Sequence, residues 1–367
     1  MECLEKPVWN SYTEEELRQL TIPEPDDTVR ERVYRKWDSI AKPIDGLGRF
    51  EKLIAQIGAV TGTEKIEISK KALIILCADN GIVEEGVSQC GQEVTAAVAR
   101  AMAKGCSAAE RMAAAAGADT IPVDIGINSS APMDGIWNKR VRRGTRNFRK
   151  EPAMTEQEAI AAIAAGIDIV YDCKKKGYQL LATGEMGIGN TTTSSAVTAA
   201  LLKRQAEEVT GRGAGLSEEG LLRKKQLIEA AIEQYALYQA DALTILKSVG
   251  GLDIAGLAGV CIGGALCRLP VVLDGVISMA AALLAERLCP GVKDYLLPSH
   301  RGKEPAAGYL AEALSMKPVI DGELALGEGS GAVMLFPLLD LALEVYRSET
   351  DFGAIQIERY RRWDEEV

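Results

Sequence analysis

The sequence predicts a doubly wound α/β fold, a mostly parallel sheet flanked by helices, and three observations predict it. Residues 72–78 form a continuous apolar run rather than an alternating one, as in strands buried on both faces. Several such runs end in a polar or glycine-bearing turn and pass into a helical pattern, the strand–turn–helix rhythm of α/β layers. The 367 residues are 47% apolar but only 5% aromatic, with 36 glycines, which suits closely packed layers and a substantial core.

The elements follow in order. Residues 1–68 alternate short helical patterns with breaks at Pro23, Pro25 and Pro43, and 33–40 and 49–60 read as amphipathic helices. The strand at 72–78 ends in Asp79-Asn80-Gly81. An alanine-rich helix is expected over 94–116, then a second strand over 120–125. The next helix opens at Thr155, with Glu158 completing a capping box. A strand at 179–183 runs into the turn G-E-M-G-I-G-N-T-T-T (184–193) and a further helix. Ser217 is the expected N-cap of the helix that carries Lys224. A late strand, 269–273, ends at Asp274-Gly275 and precedes an apolar helix at 277–288. A helix at 306–314 leads to a second glycine-rich turn, A-L-G-E-G-S-G-A (325–332), and a helix at 333–346. These patterns divide the chain into 1–68, an α/β core at 69–300 and a C-terminal part at 301–367, whose charged end is expected to be peripheral.

Composition removes several function classes. A net charge of −10 and a pI near 5.0 disfavour a nucleic-acid partner, and the six Lys/Arg of 139–149 make one loop rather than a stripe. The eight cysteines contain no C-x-x-C pair and read as buried free thiols of a reducing cytosol, not a zinc cluster. No leader pattern opens the chain and no apolar stretch is long enough to cross a bilayer, so a cytoplasmic protein without a membrane segment is expected. The single histidine, His300, excludes a histidine pair and most histidine-rich metal sites. Acid–base work falls to carboxylates, lysines or that imidazole, and neither metal nor cofactor is expected.

Glu185 and Glu328 each stand between glycines. Glycine lets the backbone approach a ligand closely, and a helix start offers free N–H donors to an anion. The 184–193 segment has neither the G-K-[ST] ending of a phosphate loop nor a proper dinucleotide fingerprint. Asn190 and the hydroxyls of Thr191, Thr192 and Thr193 can hold a phosphate, but a structural turn capped by threonines explains them equally well. For Glu328, flanking glycines with Leu326 and Ala332 favour desolvation and a raised pKa, whereas the helix dipole favours a lowered one. Sequence leaves both open. By themselves Lys224 reads as a solvated helix lysine, Asp79, Asp124 and Asp274 as strand-end caps, and His300 as structural.

Taken together, these segments carry a resemblance. D-S-I-A-K-P-I-D-G-L-G-R-F-E, C-A-D-N-G-I-V-E-E-G-V-S-Q, R-R-G-T-R-N-F, E-P-A-M-T, G-E-M-G-I-G-N-T-T, V-G-G-L-D-I-A, L-P-V-V-L-D-G, P-S-H-R-G-K-E and L-G-E-G-S-G-A occur in the order of the nicotinate-nucleotide–dimethylbenzimidazole phosphoribosyltransferase family. The sequence closely resembles that family from about Trp37 to Tyr346. The resemblance implies transfer of phosphoribose from nicotinate mononucleotide to a benzimidazole, giving α-ribazole 5′-phosphate, the source of the lower ligand of cobalamin. It implies a homodimer and a small helical domain built from both chain ends.

Residue by residue, the resemblance puts the general base on Glu328, with Glu185 and Lys224 in the same site. It puts the phosphate and ribose pocket on Gly187, Asn190, Thr191, Gly213, Asp274 and Gly275. Ser88, Cys90, Gly302, Leu326, Gly327, Gly329 and Ser330 complete the expected substrate contacts. Two departures are visible: Asn80 replaces a histidine, and Gly302 stands where a serine is usual, removing one phosphate donor. Cys90 and Val98 fall where some relatives have polar groups facing the base. The acceptor can therefore be adenine, another benzimidazole or a phenol, and a catalytically silent nucleotide-binding subunit is the remaining alternative.

Overall fold

Six strands form one sheet in the computed structural model, which describes residues 12–362: β1 (Lys71–Ala78), β2 (Ala118–Gly126), β3 (Trp137–Asn138), β4 (Leu180–Met186), β5 (Val271–Leu273) and β6 (Leu296–Pro298). Their order is β3-β2-β1-β4-β5-β6, and every pairing is parallel. The expected mostly parallel sheet is thus wholly parallel. Strand order reverses between β1 and β4, and a crevice outside the carboxyl ends at such a reversal is where doubly wound folds bind ligands.

Both faces of the sheet are dry. Ala72, Ile74, Leu76 and Ala78 of β1 join one apolar cluster with Leu181, Val271 and Leu273, while Leu73, Ile75 and Cys77 join the other with Leu180, Ala182 and Val272. The second cluster also takes Val33 and Trp37 of the Asp27–Ser39 helix, Ile54 and Ile57 of the Arg49–Thr61 helix, and Leu335 and Phe336 of the Ser330–Tyr346 helix. Helices from both chain ends therefore meet on this face, with the Trp37 and Tyr346 rings 5.1 Å apart.

Several expected elements change in extent. The stretch 94–116 is two helices, Glu93–Ala103 and Ala108–Ala115, because Gly105 turns with φ +72° and Ser107 caps a new start. β4 continues three residues beyond its expected end: Gly184, Glu185 and Met186 stay in register with Ile75, Leu76 and Cys77. Glu185 therefore belongs to a strand end, and the turn proper starts at Gly187. The Thr155 capping box and the Ser217 cap form as expected. Of the cysteines expected to be buried, Cys90 and Cys106 are exposed on loops, while Cys77, Cys173, Cys261 and Cys289 are buried thiols. Cys3 and residues 363–367 lie outside the described residues. Arg362, near the chain end, pairs with Asp38 at 3.0 Å and Asp45 at 2.8 Å.

The Leu252–Leu266 helix was not foreseen, since glycines at 256, 259, 263 and 264 lower its helix propensity. Packing restores it. A Cβ on Gly259 would stand 1.9 Å from the Ile163 carbonyl oxygen, and one on Gly166 2.0 Å from that of Gly256, so the Glu156–Lys175 helix lies backbone to backbone against it. Gly259→Ala must spread the pair and is expected to cost about 1–3 kcal/mol. Denaturant unfolding checks this, and a change below about 0.5 kcal/mol would contradict it. Among the described residues, no helix is long and apolar enough to cross a membrane.

Candidate active site

A cavity of about 290 Å³ opens at the carboxyl ends of β4 and β5, beside the reversal of strand order. Glu185, Gly187, Asn190, Thr191, Gly213, Asp274, Gly275, Gly302, Leu326, Gly327 and Glu328 all line it. Residues expected at one site from five separate segments of the chain thus share one wall. A larger cavity of about 360 Å³, lined by Arg30, Arg49, Lys52, Lys293 and Lys317 among others, shares no lining residue with it.

The two glycine-flanked glutamates meet because the glycines dock. A Cβ on Gly184 would sit 2.7 Å from the Glu328 carbonyl oxygen, and one on Gly329 would sit 2.3 Å from Leu73 and 3.0 Å from the Thr183 oxygen. The turn bearing Glu328 is thus seated on the end of β4. Glu328 itself has φ +58°, a left-handed conformation that a non-glycine residue adopts only at some cost. Asp274, at the end of β5, fastens the turn: its Oδ2 accepts from Gly329 N at 3.2 Å, and its Oδ1 accepts from Gly331 N at 2.9 Å and Ala332 N at 3.2 Å. These N–H groups belong to the buried start of the Ser330–Tyr346 helix, where no carbonyl within the helix can reach them.

The electrostatics distinguish the two acids. Burial pushes the Glu328 carboxyl above the ordinary glutamate range, and the nearby Ala109 N–H only partly opposes it. Desolvation thus outweighs the helix-start effect that pointed the other way. Its Oε2 is buried and has no hydrogen-bond partner. Glu185 is pushed up to about 8, chiefly by burial and then by the charges of Asp253 and Asp274; the Asn190 side chain and the Glu328 N–H partly offset this.

Other expected residues stand elsewhere. Lys224 does not line the cavity: it is fully buried behind Thr191, its Nζ donating to Thr191 Oγ1 at 3.0 Å and to the Gly211 oxygen at 3.1 Å. Desolvation lowers its pKa to about 8, so it is a held cation rather than the solvated lysine its helix suggests. Of the three threonines, only Thr191 faces the cavity; Thr193 Oγ1 donates to the Asn190 oxygen, and Thr192 is buried. Gly329 and Ser330 are buried and do not line it. Ser88 lines a smaller adjoining cavity of about 70 Å³ that shares Gly187, Asn190 and Thr191. Cys90 is exposed and lines neither, and Val98 packs on the apolar cluster of the sheet.

Three further ionisable residues belong to the wall. His300 lines the cavity with its ring buried, Nδ1 lying 3.0 Å from Ser299 Oγ and 4.0 Å from Asp274 Oδ1. Lys303 adds a cation, and Glu304 accepts from Gly213 N at 3.0 Å, tying the 302–304 loop to the 211–213 loop. Lys303 and Glu304 had no signal beyond membership of the P-S-H-R-G-K-E segment. Among the described residues, no group of three or more His, Cys, Asp or Glu is arranged to hold a metal.

A family model described as Phosphoribosyltransferase matches residues 22–357, which include every residue of this wall. The chain belongs to that phosphoribosyltransferase family. The nicotinate-nucleotide–dimethylbenzimidazole phosphoribosyltransferase of Acetivibrio thermocellus is 46% identical over 329 residues, 90% of this chain and 94% of that one. The protein of the same name from Ruminiclostridium cellulolyticum is 42% identical over 341 residues, 93% and 97% of the two chains. A crystal structure of that enzyme from Thermus thermophilus superimposes with a TM-score of 0.85 at 37% identity, covering 91% of this phosphoribosyltransferase and all of its counterpart.

Proposed function

We propose that the protein transfers the phosphoribosyl group of nicotinate mononucleotide to 5,6-dimethylbenzimidazole, releasing nicotinate and forming α-ribazole 5′-phosphate. The observation that carries the mechanism is the free Oε2 of Glu328, a buried proton acceptor on a residue of the cavity wall that also includes Thr191, Gly213, Gly302 and Lys303. Relatives that bear this enzyme's name at 46% and 42% identity over most of both chains support the reading.

The chemistry needs little more. The C1′–N bond to the pyridinium breaks, and its electron pair leaves with nicotinate, so no acid is required at the leaving group. The imidazole nitrogen of the incoming base attacks from the opposite face, which inverts β to α at C1′. Its other nitrogen loses a proton to Glu328. Atoms and charge balance without a redox partner. The phosphate is held at Thr191, Gly213, Gly302 and Lys303, and Lys224 supports it from behind by orienting Thr191. The enzyme works as a cytoplasmic homodimer in this reading.

Incubation with nicotinate mononucleotide and a panel of bases, with the product identified by NMR, tests the proposal. Nicotinate and the α-anomer of the benzimidazole nucleotide are expected. Exclusive use of adenine or a phenol would overturn the acceptor, and tight nucleotide binding with no nicotinate released from any base would overturn the transfer.

A further inference from the structure

His300 lines the cavity, but the reaction as written gives it no task. Its backbone is fixed as a continuation of β6: Arg301 N donates to the Ile320 oxygen at 2.9 Å, and Ile320 N donates to the Ser299 oxygen at 3.0 Å. The buried ring occupies space that Gly331 leaves, since a Cβ there would stand 1.9 Å from Nδ1. A Cβ on Gly275 would instead stand 3.7 Å from Nε2. Gly331 does not line the cavity and Gly275 does. The imidazole therefore crosses the wall, with Nδ1 on the inner side and Nε2 on the cavity side.

One hydroxyl proton decides the state of the ring. Ser299 Oγ lies 2.6 Å from the Leu273 oxygen, and a carbonyl has no proton to give, so the hydroxyl donates there. A serine hydroxyl has a single proton. Toward His300 Nδ1, 3.0 Å away, Ser299 Oγ can therefore only accept. Nδ1 must carry the hydrogen, and the Asp274 carboxylate, 4.0 Å from it, favours the same arrangement. In the neutral ring Nε2 is then a bare acceptor. Among the described residues it has no hydrogen-bond partner. A largely buried acceptor without a protein partner is matched by a donor on a ligand.

The ring's neighbours say which part of a ligand meets it. His300 precedes Gly302 and Lys303 on one loop of the wall. On its other side stands Asp274, whose Oδ2 accepts from Gly329 N, next to Glu328. In the proposed function, on which this inference rests, the first group holds the phosphate and Glu328 faces the acceptor base. The ribose spans the two, and its 2′ and 3′ hydroxyls are its hydrogen-bond donors. We propose that His300 is a specificity-determining residue: its Nε2 accepts a hydrogen bond from one of these hydroxyls, so that the enzyme selects a ribosyl over a deoxyribosyl donor.

Because His300 is the chain's single histidine, nitrogen NMR of the full-length protein labelled in its imidazole shows one ring. In the free protein at mildly alkaline pH, Nδ1 is expected to be protonated and Nε2 bare. Nicotinate mononucleotide, added without an acceptor base, should move the Nε2 resonance as a new hydrogen bond does, and either its 2′-deoxy or its 3′-deoxy analogue should not. In turnover, wild-type kcat/KM should favour the mononucleotide over that analogue at least about tenfold more strongly than His300→Phe does, a ratio from which the analogue's own reactivity cancels. His300→Gln, whose side-chain oxygen can accept, should keep part of the preference. A merely structural ring would lower kcat/KM equally for both substrates. The proposal is overturned by an Nε2 that carries the proton in the free protein, or by equal Nε2 shifts with the mononucleotide and both analogues. It is also overturned if binding turns the ring into an imidazolium, which would assign it to the phosphate. Should His300→Phe not fold, the wild-type shifts decide. A hydroxyl-dependent Nε2 shift with no nicotinate released to any base would support the contact and contradict the transfer.

Discussion

Glu328→Gln is expected to lower kcat by about 100-fold or more, in line with the loss of a general base. The change is nearly isosteric, so the turn remains seated on Gly184, while the amide can no longer take the proton. Nicotinate mononucleotide should bind within about threefold of the wild type, because the interaction removed belongs to the transition state. The pH dependence has a definite sign. The base works only when ionised, and burial raises its pKa, so wild-type kcat rises with pH through a value above the ordinary glutamate range. Glu328→Gln should lack that rise. Steady-state kinetics across pH, with calorimetric binding of the mononucleotide, provide the check. An unchanged kcat would place the base elsewhere.

Much of this was legible in the sequence, for physical reasons that differ between elements. β1 announced itself because a strand covered on both faces must be apolar throughout. The Thr155 and Ser217 caps were legible because capping is local chemistry. Glu185 and Glu328 were found through their glycines, whose purpose is now visible: Gly184 leaves room for the Glu328 carbonyl. What stayed hidden depends on distant partners. β6 is three residues long and exists through its pairing with β5, and the glycine-rich Leu252–Leu266 helix exists through its contact with the Glu156–Lys175 helix. Lys224 looked like a solvated helix lysine because nothing local says that Thr191 and Gly211 will close over it. Asp253 lay within the V-G-G-L-D-I-A segment, yet nothing local says that its side chain will be buried near Asn80, 173 positions earlier in the chain.

Asp274→Ala is expected to damage stability and turnover together. The carboxylate accepts from the N–H groups of Gly329, Gly331 and Ala332, all buried at the start of the Ser330–Tyr346 helix. Without it three buried donors lose a charged acceptor, and the loss should be about 3 kcal/mol or more. The turn they anchor carries Glu328 in its left-handed conformation, so kcat should fall even though the base itself is intact. Asp274→Asn separates anchoring from direct charge stabilisation of the reacting sugar. An asparagine oxygen can still accept from Gly331 and Ala332, but its amide must replace the oxygen that met Gly329. If anchoring dominates, Asp274→Asn should fall between the wild type and Asp274→Ala in both unfolding free energy and kcat. If charge on the sugar dominates, Asp274→Asn should lose as much kcat as Asp274→Ala while keeping most of the stability. The three N–H contacts and the seat of Glu328 on Gly184 favour the first outcome, because a carboxylate spent on backbone donors has less field to direct into the cavity.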